Sequence, residues 1–506
     1  MSNRYGGARI RRGLSHFIIG KGVSAVAGLL CMLLVIRGLS IESFAAYSVL
    51  TALVELFTAL TGLGLVHALL RYVPELYAKQ YQVSLRKFTY GAFGIRTAVL
   101  LLAALLAFMF ADKLAPEIGL SHAIDAYEVF LLIVVLRSST HFLSQVLEST
   151  LHQSIVQIGF TAATLIRLAG MLYLVQQGAV QLVDVIWVEA ISDLVSMLIM
   201  LGGIVWLVTR QGLAHQNSAD DGTWLSNNMR QIKHLAITGY AQHIIGLPFG
   251  SNTNRLVGGS LFSLHTMASF GFAQSIYEYV KRYLPAQLLV GLIRPVVVAR
   301  FSEKRDFSAA AAICDRVGFI NITIISAILS VLLVGGLPIL KWISADKYGT
   351  EALWVLITLM LVLALETHRL TLEMLVQTVE RYAILIPSNF FLALSVLPGI
   401  LFFKVLGAVS FPLMNALALL LCNAWVKHKL ATEGYAFANN TLTIAQLLGV
   451  AGLSALIGLC LNTFHIHWVA STFIAQIVFA LGAWHFFGAT FKALFSDVVG
   501  RKAKLL

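Results

Sequence analysis

The amino-acid sequence predicts an all-α integral membrane protein. It would have about fourteen transmembrane helices, as two six-helix bundles plus two extra C-terminal helices. Three observations lead there. Apolar residues make up 58% of the 506-residue chain and charged residues only 12%. A soluble domain carries roughly 25% charged residues, so this chain cannot coat itself for water. Apolar stretches of about 20 residues, long enough to cross a hydrocarbon core, recur from end to end. Lysine and arginine gather in alternate connecting segments, as the positive-inside rule requires.

The expected spans lie near 16–36, 43–70, 90–111, 126–147, 155–175, 183–208, 235–259, 266–293, 314–339, 352–376, 382–405, 407–425, 441–462 and 467–489. The seventh and eighth are unusually polar. The longest polar stretch, 209–234, joins spans six and seven. The expected organisation is an N-terminal bundle over 1–208, a cytoplasmic linker over 209–234 and a C-terminal bundle over 235–430. Residues 431–506 would add two helices and a basic tail.

Charge counts orient this plan. With the N-terminus inside, and with Arg316 and Lys404 at the margins of their spans counted with the adjoining segments, 23 of the 36 Lys and Arg residues fall in cytoplasmic segments. The opposite loops hold only Arg37, Lys113, Lys341, Lys347 and Lys404. Both termini are therefore expected in the cytoplasm. The formal net charge of +12 reports orientation rather than nucleic-acid binding. The basic tail, Lys492, Arg501, Lys502 and Lys504, suits anionic headgroups.

An internal echo supports two similar halves. Phe44-Ala45-Ala46-Tyr47-Ser48 opens the second span, and Met267-Ala268-Ser269-Phe270-Gly271 opens the eighth. Arg71 follows Tyr47, and Arg294 follows Phe270, at the same interval. Parallel repeats of this kind are common among transporters.

Several chemistries are not signalled. Cys31, Cys314, Cys422 and Cys460 form no C-x-x-C pair and lie in or beside apolar runs, as buried free thiols do. Gly20-Lys21-Gly22 lacks the Ser/Thr and spacing of a phosphate-binding loop, and no H-E-x-x-H occurs. Neither a metal nor a cofactor is expected. The basic start resembles a signal peptide, but Lys21 interrupts its apolar run, which is read as a retained first helix.

Charges inside spans carry the functional signal. Clear of the span margins lie eight bases: Lys21, Arg96, Arg137, Arg167, Arg255, Lys281, Arg282 and Arg369. Each costs about 3 kcal/mol at a helix centre. At about 1.5 Å per residue, Arg137 and Arg167 lie about 17–18 Å from a span end, close to mid-membrane. Lys21, Arg255 and Arg369 are near ends and can snorkel. Two readings stand for the set. One is a wet, cationic cavity that takes an anionic group during passage. The other is structural pairing. Glu278, Lys281 and Arg282, and likewise Glu366, Arg369 and Glu373, share helix faces and favour pairing. Arg96, Arg137 and Arg167 have no acidic residue one turn away in their own helices, which favours the cavity. Glu189 and Asp193, at i and i+4, would either hold a coupling proton or cation, or neutralise Arg137 or Arg167. His67, His141 and His243 each read as packing residues.

The seventh span contains Gly246, Pro248 and Gly250 followed by Ser251-Asn252-Thr253-Asn254-Arg255. Proline between glycines should bend or break this helix and turn its carbonyls toward a cavity. Pro285 is expected to act similarly in the eighth span. Close helix packing of small residues is the alternative reading.

The segment Val35-Ile36-Arg37-Gly38-Leu39-Ser40-Ile41-Glu42-Ser43-Phe44-Ala45-Ala46-Tyr47 resembles the R-x-L-x-x-x-x-F/Y-G-x-Y segment of polysaccharide-type flippases. It departs from that pattern in having Ala45-Ala46 where glycine is common. Gly62-Leu63-Gly64-Leu65 with Leu70-Arg71-Tyr72-Val73-Pro74-Glu75 resembles their G-L … R-Y-x-P-E segment. These flippases belong to the multidrug/oligosaccharidyl-lipid/polysaccharide exporter superfamily. The motifs cover residues 10–80, and the fourteen-span plan extends the resemblance over the chain.

The resemblance implies a transporter of the bacterial inner membrane rather than an enzyme. Its cargo would be a polyprenyl-diphosphate-linked oligosaccharide for O-antigen, capsule or exopolysaccharide, moved by alternating access. Glycosyltransferases and a glycan polymerase would be its partners, with membrane lipid. The implied cationic cavity would draw on Arg96, Arg137, Arg167, Arg255, Lys281, Arg282 and Lys21, with Glu189 and Asp193 for ion coupling. A cation-coupled multidrug exporter of the same superfamily and a non-transporting scaffold of a synthase complex are the competing readings.

Overall fold

A computed structural model describes residues 7–178, 180–212, 219–288, 306–379, 381–436 and 440–503. They are overwhelmingly helical, with no strand among the described residues. In chain order the first unit contains α1 (Gly7–Gly38), α2 (Ile41–Leu60), α3 (Leu65–Lys79), α4 (Gln82–Met109) and α5 (Ala111–Glu117). These are followed by α6 (Ile124–Ser149), α7 (Gln153–Gln176), α8 (Leu182–Gly212), α9 (Ala219–Gly246) and α10 (Ser251–Leu261). α11 (Leu264–Tyr283) crosses into the second unit. There follow α12 (Phe307–Ser344), α13 (Thr350–Thr378), α14 (Leu385–Ala393), α15 (Val396–Leu406), α16 (Ser410–Thr432), α17 (Asn440–Thr463) and α18 (Trp468–Ala503).

Among the described residues, eleven helical segments are long and apolar enough to cross a membrane. Ten of them match expected spans one to six, nine, ten, thirteen and fourteen, and the remaining one, Leu385–Thr432, covers spans eleven and twelve. That segment is interrupted between α14 and α15, and again by a 3-10 turn at Gly407–Val409. Expected spans seven and eight do not reach the same apolarity, for visible reasons. The seventh is cut in two. The eighth, α11, ends in Glu278, Lys281 and Arg282. Residues 289–293 of the expected eighth span, Arg294 of the echo and Lys504 of the tail lie outside the described residues.

Helix ends follow local chemistry. Ser40 caps α2 by accepting a hydrogen bond from the Ser43 amide at 3.1 Å, and Asp306 caps α12 by accepting from Ala309 at 3.1 Å. α2 stops at Leu60, inside the expected span 43–70, because Gly64 adopts φ +66° and restarts the chain as α3. Proline breaks the seventh span as expected: α9 ends at Gly246, Gly250 has φ +127°, and α10 begins at Ser251. The freed Leu247 carbonyl accepts from Thr253 Oγ1 at 2.7 Å. α11 likewise ends at Tyr283, two residues before Pro285, and the Ala286 amide donates to Asn321 Oδ1 at 2.9 Å.

The chain forms two compact units, Met1–Gly271 and Phe272–Leu506. The division falls after Gly271, whereas the sequence reading puts its linker at 209–234. Residues 235–271 sit with the first unit because they dock on α2 and α3. Tyr240 donates to the Leu60 carbonyl at 2.8 Å, and Asn252 donates to Glu55. Gly271 lies so close to Ser48 that a Cβ there would overlap the Ser48 hydroxyl. These are the two echoed positions. In the second unit α17 and α18 pack on α12 through Phe319, Ile322, Leu447, Val450 and Phe479, and Ser330 and Ser454 share a hydrogen bond at 2.8 Å.

The Gly64 contact gives a direct test. A Cβ at Gly64 would overlap the Ala236 carbonyl, in a left-handed backbone as well. Gly64→Ala should destabilise the protein by about 1–3 kcal/mol, read as a lower thermal unfolding midpoint in detergent. Gly91→Ala, where a Cβ meets nothing within 4 Å, should leave that midpoint unchanged or slightly raised.

Candidate functional site

The first unit gathers four intramembrane charges into one cluster. Glu189 and Asp193 are one turn apart on α8, so their carboxylates emerge on the same face. Arg137 reaches them from α6, donating from Nε to Asp193 at 2.9 Å and from Nη2 to Glu189 at 2.8 Å. Arg167 reaches them from α7, donating from Nη2 to Asp193 at 3.1 Å, with Nε 3.9 Å from Glu189. Tyr47 on α2 donates its hydroxyl to Glu189 Oε1 at 2.5 Å. Four helices thus converge on a quartet whose formal charges cancel.

The quartet is layered. The Glu189 and Asp193 side chains are only 3% and 10% exposed, whereas Arg137 and Arg167 retain 29% and 25%. The carboxylates lie behind and the guanidiniums in front. Nη1 of each arginine makes no hydrogen bond among the described residues, and neither is sealed from the surface. Each arginine therefore keeps one N–H corner for an incoming acceptor. Carboxylates that hold two arginines are also the neutralising partners that the sequence reading set against ion coupling.

The other expected site residues do not join this cluster. Arg96 on α4 is 1% exposed and is enclosed. Its Nη1 donates to the Ser138 carbonyl at 2.8 Å and its guanidinium lies 5.0 Å from the Phe142 ring centre. Such burial leaves it no contact with a bulky ligand in this arrangement. Arg255 on α10 is buried against α2, with Nη1 3.4 Å from Thr51 Oγ1. Lys21 on α1 is partly exposed, and Arg282 is exposed at the end of α11.

Lys281 and Arg369 belong to the second unit. Lys281 Nζ lies 2.8 Å from Glu366 on α13, and Tyr277 donates to the same carboxylate at 2.7 Å. Glu366 thus turns toward α11 instead of Arg369, the partner its spacing suggested. Arg369 pairs with Glu373 at 2.7 Å, as spacing predicts, and also donates to Ser388 at 2.6 Å and Asn389 at 2.7 Å. With all three nitrogens bonded, it pins α13 to α14. The residues sequence reasoning missed are Tyr47, Tyr277, Ser388 and Asn389. Tyr47 and Tyr277 had one available signal: a buried phenol inside a span needs an acceptor.

No family model matches the chain, and no curated protein matches it. Solved structures do. The lipid II flippase MurJ, in an inward closed conformation, superposes with a TM-score of 0.65 at 12% identity, covering 94% of this chain and 99% of its own. An inward-facing multidrug resistance MATE transporter of the MOP superfamily gives 0.62 at 13% identity, covering 81% and 95%. The Vibrio cholerae MATE transporter VcmN, as a point mutant, gives 0.50 at 10% identity, covering 85% and 99%. This chain has their fold. It is a multi-pass membrane protein built from helices that the sequence largely delimits.

The quartet predicts an asymmetry. Glu189→Gln or Asp193→Asn removes a deep counter-charge and should destabilise the protein by about 3–5 kcal/mol. Tyr47→Phe removes one hydrogen bond to a charged group and should cost about 1.5–3 kcal/mol. Thermal unfolding of the purified variants gives the ranking, and Tyr47→Phe melting below both carboxylate variants would contradict it.

Proposed function

We propose that this protein is a flippase that carries a polyprenyl-diphosphate-linked oligosaccharide across the bacterial inner membrane for surface polysaccharide synthesis. One observation carries the reading: Arg137 and Arg167 each present a free Nη1 corner from a quartet whose carboxylates lie behind. Guanidinium corners suit the oxygens of a diphosphate through charge-assisted hydrogen bonds. Compensation by Glu189 and Asp193 matters for turnover. Two uncompensated arginines in low dielectric would hold a dianion too tightly to release it, whereas a neutral quartet binds through directed donors and lets go. Transport requires that balance of entry and exit.

The fold supports the same reading, since the likeness to MurJ extends over 94% of this chain. Cargo would alternate between access to the two membrane faces, with both termini cytoplasmic. The glycan occupies a wet lumen, and the prenyl chain stays in lipid. Glycosyltransferases and a glycan polymerase would supply and consume the cargo. A cation-coupled drug exporter is the second reading, favoured by the MATE-like fold and the Glu189/Asp193 pair. Against it, those carboxylates lie behind arginines, where an organic cation would meet positive charge first.

Proteoliposomes distinguish the two. The wild-type protein should move a fluorescent polyprenyl-diphosphate glycan across the bilayer and leave a cationic dye untransported. Arg137→Ala and Arg167→Ala should each lower glycan movement at least tenfold while the protein still inserts. Unchanged movement in both variants, or dye export in place of glycan movement, refutes the flippase reading.

A further inference from the structure

α6 is the most enclosed membrane span of the first unit. From Ser138 to its last turn every residue is buried except His141, Gln145 and Glu148. His141 and Glu148 are exposed and Gln145 is half-buried. Counted from Arg137, these residues fall at i+4, i+8 and i+11, which is one stripe of a helix. The stripe extends about 16 Å, at about 1.5 Å per residue. Every accessible side chain on it is polar. The neighbouring α8 has an accessible stripe of the same spacing with the opposite chemistry: Trp187, Ile191, Leu194, Leu198 and Val205 are all exposed and all apolar, as lipid requires. An accessible imidazole, amide and carboxylate on a membrane helix cannot meet lipid at that cost. The α6 stripe therefore faces water, and it starts at the arginine whose Nη1 corner is open.

The hydrogen-bonding character changes along the stripe. Arginine only donates, which suits phosphate oxygens. Gln145 both donates and accepts, an imidazole can do either, and Glu148 accepts. Sugar hydroxyls also donate and accept, so the mixed set matches them as the donor-only corners match a diphosphate. Glu148 lies in the field of Lys21 on α1, which adds a cation beside the far end of the stripe. We propose that His141, Gln145 and Glu148 form a glycan subsite that runs from the Arg137 corner toward the C-terminal end of α6, the end that the charge counts put in the cytoplasm. The inference rests on the flippase reading and adds to it where the sugars lie. With the diphosphate at Arg137, His141 meets the first sugar, and Gln145 and Glu148 meet sugars further along. The protein then selects its cargo by the glycan as well as by the anchor.

Proteoliposomes test the selectivity. Two fluorescent cargoes are compared, a polyprenyl diphosphate carrying one sugar and the same anchor carrying an oligosaccharide. Gln145→Leu should lower the ratio of oligosaccharide to single-sugar movement about fivefold, the effect of one lost hydrogen bond. Leu198→Ala, on the lipid-facing stripe of α8, should leave that ratio unchanged. Thiol labelling tests the wet stripe whatever the cargo. In a Cys460→Ser background, where the other three cysteines are buried, Gln145→Cys in open membrane fragments should react with a sulfonated, membrane-impermeant maleimide, and Leu198→Cys should not. A wild type that moves neither cargo refutes the flippase reading and the subsite with it. A wild type that moves both, with the same ratio in Gln145→Leu, overturns the subsite alone. An unreactive Gln145→Cys, or equal labelling at Leu198→Cys, also overturns it.

Discussion

The pairing of two arginines with two carboxylates between α6, α7 and α8 is the constraint on which the first unit depends. Each charge alone would be expelled from a bilayer, at about 3 kcal/mol even on a lenient scale. Together they are retained only if three helices meet at one depth and in one rotational register. Arg137 at 2.8–2.9 Å and Arg167 at 3.1 Å from the α8 carboxylates fix both. Tyr47 brings α2 to the same point. Apolar packing in a membrane supplies little such direction, because lipid tails compete with side chains for the same contacts. The polar cluster therefore does what a hydrophobic core does in water: it selects one arrangement.

The second unit solves the same problem by dispersal. Lys281, Tyr277 and Glu366 join α11 to α13, while Arg369 ties α13 to α14 through a carboxylate, a hydroxyl and an amide. No described charge of that unit stands in a four-member cluster like that of Arg137. The first unit thus gathers four of its charges at one place with two open N–H corners, and the second uses its charges as local joints. That difference is what makes the first unit the place to look for ligand chemistry.

Much of this was legible in the sequence. Composition and span length delimited the membrane helices, since both depend on local apolarity alone. Pro248 between Gly246 and Gly250 marked a real interruption, because proline acts on its own helix whatever surrounds it. The quartet's members were each visible as charges in apolar runs, and neutralisation by Glu189 and Asp193 was one of two open readings. What was hidden is partner choice across helices. Spacing along α13 suggested Glu366 for Arg369, but α11 supplies Lys281 and Tyr277, and their combined attraction turns Glu366 away. Arg96 shows the same limit from the other side: a sequence shows that it lies within a span but not whether it faces a lumen or is walled in by Phe142.

Ser48 and Gly271 carry a consequence for how the chain can change. They hold the same place in the two echoed segments, and they touch. If the halves descend from one ancestral segment, this is where the copies became each other's environment. A larger residue at one position is tolerable only while the other stays small, so the two copies cannot drift independently there. Related sequences should then show compensating volumes at this pair, with glycine migrating from one copy to the other while the sum of the two side chains stays nearly constant.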